Sequence, residues 1–483
     1  MRKVSAVRGV DGGTKRKSVF RFFLRCGFRI PLEKTIHLFI SAGFGFDAEK
    51  RRCFFMRYTE AEKYIDSLKG RGIVPGLSNM EKLCEALGNP QNKVKTVHIA
   101  GTNGKGSTGA FISSILQSGG FNVCRYVSPA VENHREIYLY NSEMISEEDF
   151  AYCIETVKQA ADALEKQGVF PTSFEVETAA AFVYFNLKRC GFAVVECGMG
   201  GELDATNVIK KPKCCVITSI SRDHSAYLGN TLEEISSAKS GIIKKGSYVV
   251  SDIQEECVGN VISKKCAEIS VPLKFVKKAE ITAAGPDGVD FVYDGINFHS
   301  PLCGLYQPQN AALAIESVKT LGENISAAAI AEGIRNTVWK FRFEIRGKWI
   351  FDGAHNPNGA QKLSDTLREY FPNGKLVYVF GVFKDKDYDK IARITAPLAG
   401  RIYTVKPPSD RGLDAAALAE TVKKYAKCEV TPIELSDAVK ICEKESCDAV
   451  VCFGSLSFLS FIGGVLKWNA AVKYIIIRCI KSF

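Results

Sequence analysis

One stretch in the first quarter of the chain constrains the fold more than any other. It reads Val97-His98-Ile99-Ala100-Gly101-Thr102-Asn103-Gly104-Lys105-Gly106-Ser107-Thr108. A β-prone run leads into a glycine-rich turn, and apolar residues at helical spacing from Gly109 to Leu116 predict a helix. Such a turn directs backbone N–H groups at an anion, and the helix N-terminus adds partial positive charge. The stretch therefore predicts a phosphate-binding loop.

The residue types inside this loop suit a nucleotide, although the spacing is unusual. Lys105 supplies a full positive charge, and the hydroxyl of Ser107 or Thr108 can reach a phosphate-bound Mg²⁺. The common phosphate-loop pattern has glycine where Ile99 stands and a hydroxyl where Gly106 stands. An ordinary glycine-rich turn between a strand and a helix is therefore the alternative interpretation.

The charge of the chain is concentrated at one end. The formal net charge is +11, but residues 1–55 contain 13 Lys and Arg against 4 Asp and Glu, which leaves the other 428 residues close to neutral. A neutral body does not indicate a nucleic-acid surface. No apolar run is long enough to span a bilayer. We expect a monomer that acts on small molecules, without nucleic-acid or membrane partners.

The basic start of the chain is open to two interpretations. Arg-rich, acid-poor segments of this kind are typical of organelle transit peptides. The alternative is an upstream start, with Met56 as the functional beginning, because a helical pattern opens directly after it. The first interpretation predicts an organelle location, and the second a cytoplasmic one. The second is favoured, because the helical pattern opens directly after Met56. The 17 cysteines, odd in number and without a Cys-x-x-Cys pair, indicate a reducing compartment and disfavour a zinc site.

Short apolar strands alternate with helical patterns along the chain. Phe192–Val195 and Cys215–Ile220 are strand-like, and helices are predicted over about 146–167, 173–189 and 231–240. This alternation predicts a doubly wound parallel sheet of the P-loop type. A small β insertion is expected over 271–300. A second, smaller α/β pattern of the Rossmann type begins at about Trp349.

The domain organisation follows from these patterns. Residues 339–343 are the expected hinge, because a helical pattern ends before them and the second α/β pattern begins after them. The predicted divisions are 1–55 (basic extension), 56–338 (domain with the phosphate-binding loop), 339–468 (C-terminal domain) and 469–483 (tail).

Two polar positions follow strands of the predicted sheet. Glu196 and His224 come where ligands bind in such folds, beyond the carboxyl ends of the strands. With a hydroxyl and nucleotide phosphates, a carboxylate suits Mg²⁺, and histidine is an unusual additional ligand. Asp352-Gly353-Ala354-His355-Asn356-Pro357 ends the first strand of the second domain. This segment either forms an ordinary turn, which Gly and Asn-Pro favour, or contacts a ligand at an interdomain cleft.

Several strings together resemble one branch of the Mur ligase superfamily, the folylpolyglutamate synthase/dihydrofolate synthase family. The resemblance is colinear from about Met56 to about residue 465. Besides the loop at 101–108 it includes Gly76-Leu77-Ser78-Asn79-Met80, Phe174-Glu175, Glu196 through Asn207, Ile217-Thr218-Ser219-Ile220 with Asp223-His224, Leu228 through Glu233, Lys239 through Lys244, Gln309-Asn310-Ala311-Ala312, Asp352 through Pro357, Gly381 with Lys386-Asp387, and Gly454-Ser455-Leu456.

The resemblance implies an ATP- and Mg²⁺-dependent amide ligase of folate biosynthesis and one-carbon metabolism. A carboxylate of folate or dihydropteroate would take the γ-phosphoryl group of ATP, and the amine of L-glutamate would attack the acyl phosphate. The sequence does not say which of the two substrates is used, or whether both are.

The resemblance also assigns roles by position. Lys105, Glu196, His224 and Lys239 would be catalytic, with Lys239 as the lysine that the family carries as a carbamate. The metal ligands would be Ser107, Ser128, Glu196 and His224. Nucleotide contacts would be Gly101, Thr102, Asn103, Gly104, Lys105, Gly106, Ser107, Thr108, Asn310, Arg342 and Asp352. The pterin side would use Phe174, Leu203, Asp204 and Ala205, and the glutamate side His355 and Ser455.

The chain departs from the family pattern at four places. Ala130 replaces a histidine after Ser-Pro, Glu202 replaces an arginine, Arg222 replaces a leucine, and Lys340-Phe341 replace Pro-Gly. These changes bear on substrate preference and on the role of Arg342. The alternatives are another amino-acid ligase of the Mur type, or a homologue that binds ATP without turning it over.

Overall fold

The computed structural model of the chain describes residues 56–466, apart from 73, 131–132 and 224. The described residues all belong to one compact unit, which begins at Met56. The predictions made for residues 1–55, for the tail from 469 and for His224 lie outside the described residues. Within them, no helix is both long and apolar enough to cross a membrane.

An eight-stranded sheet forms the first α/β layer, in the order β4-β3-β2-β5-β1-β6-β7-β8. Its six strands from β2 to β8 run parallel, and β3 and β4 are antiparallel at one edge. The strands are β1 (Lys95–Ala100), β2 (Val123–Tyr126), β3 (Tyr138–Tyr140), β4 (Glu143–Met144), β5 (Phe192–Glu196), β6 (Cys214–Ile217), β7 (Tyr248–Ser251) and β8 (Leu273–Phe275).

The helices of this part are α1 (Tyr58–Leu68), α2 (Ser78–Ala86), α3 (Lys105–Ser118), α4 (Glu147–Glu165), α5 (Ser173–Lys188), α6 (Ser225–Leu228), α7 (Leu232–Ser240), α8 (Glu256–Glu268), α9 (Gln307–Lys319) and α10 (Ala327–Arg335). Three of them begin with side-chain caps. Ser146 Oγ accepts from Asp149 N, and Thr172 and Thr231 form capping boxes. The predicted doubly wound sheet is confirmed.

Helix α3 follows directly after the phosphate loop, at the end of β1. Phe111, Ile112, Ile115 and Leu116 are fully buried, as their spacing predicted. They pack in one core with Val97 and Ile99 of β1. The helices α9 and α10 also pack against α3. Because α3 packs against both the sheet and these helices, its N-terminus is held rigidly beside the end of β1.

The predicted β insertion is smaller than expected. The segment Leu273–Phe275 is β8 and pairs with β7 at the edge of the main sheet. Only β9 (Glu280–Gly285), β10 (Gly288–Tyr293) and β11 (Ile296–Ser300) form a separate antiparallel sheet. A short apolar run does not show from sequence whether it joins the main sheet or an insertion.

The second α/β layer is a six-stranded sheet in the order β12-β13-β17-β14-β15-β16, parallel except for β12. The predicted smaller α/β unit is confirmed. Its strands are β12 (Arg342–Arg346), β13 (Trp349–Asp352), β14 (Leu376–Phe380), β15 (Arg401–Thr404), β16 (Val430–Pro432) and β17 (Ala449–Phe453). Its helices are α11 (Pro357–Tyr370), α12 (Tyr388–Thr395), α13 (Ala415–Lys423), α14 (Leu435–Lys444) and α15 (Leu456–Val465).

The connection between the two layers runs from Asn336 to Phe341. The expected hinge ends inside a strand, because Arg342 and Phe343 already belong to β12. Phe341 and Phe343 both have positive φ angles, +58° and +53°, and Phe343 lies at the irregularity in the β12–β13 pairing between Arg342 and Glu344. Non-glycine residues adopt this backbone region at a cost of order 1 kcal/mol. Burial of both rings offsets that cost. The exact domain boundaries stay predictions.

Replacing Gly333 with alanine should destabilise the fold. An added Cβ would lie 2.4 Å from Ile115 Cα and 2.7 Å from Ile115 N, where α10 crosses α3. We expect the free energy of unfolding to fall by about 1–3 kcal/mol, the usual cost of overpacking. Urea unfolding followed by circular dichroism measures this change.

The matched control is Gly464→Ala in α15, where no atom lies within 4 Å of the added Cβ. Alanine there should be neutral or stabilise by up to about 1 kcal/mol through helix propensity. Equal stability of Gly333→Ala and the unmodified chain would contradict the packing argument.

Candidate active site

The loop between β1 and α3 requires glycine at its last position. Gly104 has φ +92°, and a Cβ there would lie 2.5 Å from the side-chain oxygen of Asn310. Asn310 belongs to α9, so the loop is closed over by a neighbouring helix. The first N–H groups of α3 are left facing the space beyond the sheet. This is the geometry that a bound phosphate group needs.

Two lysine ammonium groups share one carbonyl oxygen beside the loop. Lys239 Nζ donates to the Gly101 carbonyl at 2.8 Å, and Lys105 Nζ donates to the same oxygen at 3.3 Å. Lys105 Nζ also lies 3.8 Å from Glu196 Oε1. The predicted catalytic residues Lys105, Glu196 and Lys239 are therefore brought together at the ends of β1 and β5.

Burial perturbs the ionisation of this cluster. Burial lowers the pKa of Lys239 to about 7, and the charge of Lys105 contributes to the same shift. Burial raises the pKa of the Glu196 carboxyl, while Lys105, Arg125 and Arg342 oppose the rise. Shifts of this kind are typical of functional sites, because the groups are kept away from water.

The opposite wall of the site comes from the C-terminal sheet. Asp352 ends β13 and accepts hydrogen bonds from Tyr306 Oη at 2.7 Å, Phe343 N at 2.9 Å and Ala354 N at 2.8 Å. Burial raises the pKa of this carboxyl, and its hydrogen bonds act in the other direction. Asp352 is thus a rigidly held acceptor at the carboxyl end of a parallel strand.

Direct hydrogen bonds join the two α/β layers across the site. Asn103 Nδ2 donates to Asn358 Oδ1 at 2.9 Å, and Asn356 Nδ2 donates to Asn103 Oδ1 at 3.0 Å. Asp223 is paired with Lys386 at 2.8 Å and accepts from Asn356 Nδ2 at 3.1 Å. The phosphate loop is therefore anchored to the second sheet.

These elements enclose one cavity between the two layers. It is lined by fourteen of the residues predicted for the site, namely Gly101, Thr102, Asn103, Gly104, Lys105, Gly106, Ser107, Ser128, Glu196, Lys239, Asn310, Arg342, Asp352 and His355. Residues from both domains thus meet at one place. The turn at Asp352–Pro357, which the residues alone left open, lies at this interdomain cleft.

Six predicted residues do not line the cavity: Thr108, Phe174, Leu203, Asp204, Ala205 and Ser455. Asp204 accepts from the N–H groups of Met199 and Thr206 and so shapes the turn after β5. The Phe174 ring lies against Gly198, a cavity residue, and Leu203 is 58 % exposed. Ser455 Oγ caps the first turn of α15. Their proposed substrate contacts stay predictions.

Sequence reasoning missed several residues of this region, among them Tyr306 and Lys362, which line the cavity, and Arg125, which is buried beneath the loop. Arg125 gives the clearest signal, because it interrupts an otherwise apolar strand pattern. Tyr306 and Lys362 give none, because tyrosine and lysine are common in helices and loops.

The donor set fits a magnesium ion better than a transition metal. Among the described residues, no group of three His, Cys, Asp or Glu side chains could hold a metal ion. No disulfide bond joins the described cysteines. Ser128 Oγ, by contrast, is buried without a hydrogen-bond partner and lines the cavity with Ser107 and Glu196. Two hydroxyls and one carboxylate, completed by phosphate oxygens and water, are a magnesium-type set.

Comparisons with known families agree with this architecture. Residues 99–318 match the Mur ligase middle domain, and residues 341–456 match the Mur ligase, glutamate ligase domain. Among solved structures, folylpolyglutamate synthase of Thermotoga maritima is 35% identical, with a TM-score of 0.75 over 85% of this chain and 96% of that chain. Folylpolyglutamate synthase of Mycobacterium tuberculosis, complexed with ADP and AMPPCP, is 27% identical, with a TM-score of 0.78 over 85% and 98%.

Two relatives extend the match to the whole length of known proteins. The folylpolyglutamate synthase of Lacticaseibacillus casei is 32% identical over 403 residues, which cover 79% of this chain and 94% of the relative. The dihydrofolate synthase/folylpolyglutamate synthase of Bacillus subtilis is 34% identical over 438 residues, 86% of this chain and 100% of the relative. Full-length identity of this degree, with both domains in order around the cavity, means that the chain belongs to the folylpolyglutamate synthase/dihydrofolate synthase family of Mur ligases and is an ATP-dependent ligase.

Proposed function

We propose that the chain joins L-glutamate to a folate, to dihydropteroate or to both, through an acyl phosphate. The observation that carries the proposal is the meeting of Lys105, Glu196 and Lys239 with Asp352 of the second domain around one cavity. ATP would bind with its phosphates on the loop at 101–108 and its nucleoside toward Asn310 and Asp352. The substrate carboxylate and glutamate would then approach from the remaining sides.

The chemistry needs charge neutralisation at the transferring phosphoryl group. Lys105 and the N–H groups of α3 would stabilise negative charge on the γ-phosphate while the substrate carboxylate attacks phosphorus and ADP leaves. Arg342, which lines the cavity, would add a second cation. The amine of glutamate then attacks the acyl carbon, and inorganic phosphate leaves. His355 and Ser455 are the proposed contacts of the incoming glutamate.

Mg²⁺ would be held by Ser107, Ser128 and Glu196, with His224 as a further ligand. When bound it would supply positive charge to the phosphate oxygens. Burial raises the pKa of Glu196, and the charges of Lys105, Arg125 and Arg342 limit that rise; a bound cation would act in the same direction as these three.

A paired-substrate assay tests the function. Release of ADP is followed with dihydropteroate or tetrahydrofolate, each with and without L-glutamate. We expect glutamate-dependent ADP release with at least one of the two. Release with another amino acid and a cell-wall precursor would indicate a different Mur-type ligase, and absence of turnover despite ATP binding would indicate an inactive homologue.

Replacing Lys105 with alanine should abolish most of the activity. Because its ammonium group is the full charge on the phosphate loop, we expect kcat to fall by about 10²–10³-fold, the usual effect of losing one transition-state contact. The measurement is ADP release at saturating substrates. The control is Lys264→Ala, at an exposed position of α8, which should keep full activity. Activity of the Lys105 variant within twofold of the control would remove this residue from the site.

Lys239 should become a carbamate by reaction of its neutral amine with CO₂, with release of one proton. Because the pKa of Lys239 is lowered to about 7, its neutral form predominates above that pH. We therefore expect bicarbonate to stimulate CO₂-depleted enzyme at pH 8 more than at pH 6. A ¹³C carbamate signal should appear with labelled bicarbonate and be absent in Lys239→Ala. No stimulation at either pH and no signal would contradict the assignment.

A further inference from the structure

Arg125 is a buried cation beneath the phosphate loop. It lies on β2, a strand with neighbours on both sides, and is 6 % exposed. Its Nη2 donates to the Gly106 carbonyl at 2.9 Å. Among the described residues, the acid that acts on its charge is Glu196, which lies closer to Lys105 and forms no hydrogen bond with Arg125. Buried arginines are normally paired directly with a carboxylate, so the contacts that Arg125 does make need a separate explanation.

The flat face of the guanidinium group is covered by a residue of the interdomain connection. Arg125 Cζ lies 3.9 Å from the centre of the Trp339 ring, which is close for a cation–π contact. Trp339 stands between α10 and β12, in the connection that joins the two α/β layers. Arg125 of the first sheet is thus in contact with Trp339 of the connection.

Helix α3 has glycines at the positions that lie against Arg125 and Trp339. A Cβ on Gly106 would lie 2.9 Å from Trp339 Nε1, and a Cβ on Gly109 would lie 3.5 Å from Arg125 Nε. Positions 106 and 109 are on one face of the helix, because residues three apart are neighbours. The glycine that replaces the usual hydroxyl after Lys105 therefore makes room for Trp339.

The contact is not one that stability alone explains. Arg125 Nε and Trp339 Nε1 are both buried without a hydrogen-bond partner. Unsatisfied buried donors cost free energy, so an apolar pair of similar volume would stabilise the core at least as well. What the pair does make is one directional bond, to the carbonyl of Gly106. That carbonyl belongs to the peptide unit whose N–H is that of Ser107.

We propose that Arg125 and Trp339 are a positioning pair for the phosphate loop. Trp339 seats the guanidinium group, and Arg125 fixes the Gly106–Ser107 peptide, so that the Ser107 hydroxyl is aimed at the nucleotide and its metal. The position of the phosphate loop therefore depends on the position of the interdomain connection. Neither residue lines the cavity, so both position the Gly106–Ser107 peptide from behind; the charge of Arg125 also acts on Glu196, and Arg125→Lys keeps that charge. The inference rests on the proposed function.

A double-mutant cycle tests the pair. Arg125→Lys keeps the charge but cannot stack a planar group and bond Gly106 together, and Trp339→Phe keeps a smaller ring. We expect each single variant to lower kcat/KM for ATP by about tenfold, with KM for glutamate unchanged, and the double variant to be no worse than the poorer single one. If the two residues had independent structural roles, their effects would multiply, and the double variant would lose about a hundredfold in kcat/KM for ATP.

Tryptophan fluorescence gives a second readout. The chain has three tryptophans, so replacing Trp349 and Trp468 with phenylalanine leaves Trp339 as the reporter. We expect AMPPCP with Mg²⁺ to shift its emission. Arg125→Lys in the same background should bind AMPPCP by calorimetry with the shift reduced at least twofold. If Trp339→Phe does not fold, the Arg125→Lys kinetics and this shift decide the matter.

The matched control is Arg346→Lys. Arg346 lies over the rings of Phe341 and Phe351, 5.6 and 5.2 Å from their centres, and does not line the cavity. We expect it to change kcat/KM for ATP by less than about twofold. Multiplicative effects in the cycle, or kinetics of Arg125→Lys equal to those of Arg346→Lys, would overturn the pair. Failure of the unmodified chain to release ADP with glutamate would instead overturn the proposed function.

Discussion

The structure depends on keeping several charges buried where the two α/β layers meet. Lys105, Lys239 and Glu196 lie at the end of the first sheet, and Asp352 lies at the end of the second. Ions withdrawn from water are costly unless they are paired or hydrogen bonded. Here the lysines use a loop carbonyl, and Asp352 uses backbone N–H groups and a tyrosine hydroxyl. Two rigid sheets are needed to hold such partners in place.

The phosphate loop, the parallel arrangement of the strands and many of the residues that line the cavity could be predicted from the sequence. Strand ends and glycine turns follow local rules, and the carboxyl ends of parallel strands converge by geometry. Glu196 could therefore be placed near Lys105 without a structure. Helix ends were predictable to within a few residues, because Ser146 and Thr172 carry standard cap chemistry.

The parts that could not be predicted depend on contacts between distant segments. Tyr306 reaches Asp352 across 46 residues, and Arg125 meets Trp339 across more than 200. No local pattern encodes such a pairing. The edge strand Leu273–Phe275 was assigned to an insertion for the same reason, since sheet membership depends on β7 rather than on its own residues.

The hydrogen bonds between the layers bear on how a nucleotide enters and leaves. Asn103, on the phosphate loop, is bonded to Asn356 and Asn358, and Asp223 is paired with the almost fully buried Lys386. Direct bonds thus join the two sides of the cleft. Exchange of spent for fresh nucleotide must break some of these bonds, so the opening rate of the cleft sets an upper limit on turnover that is independent of the chemical step.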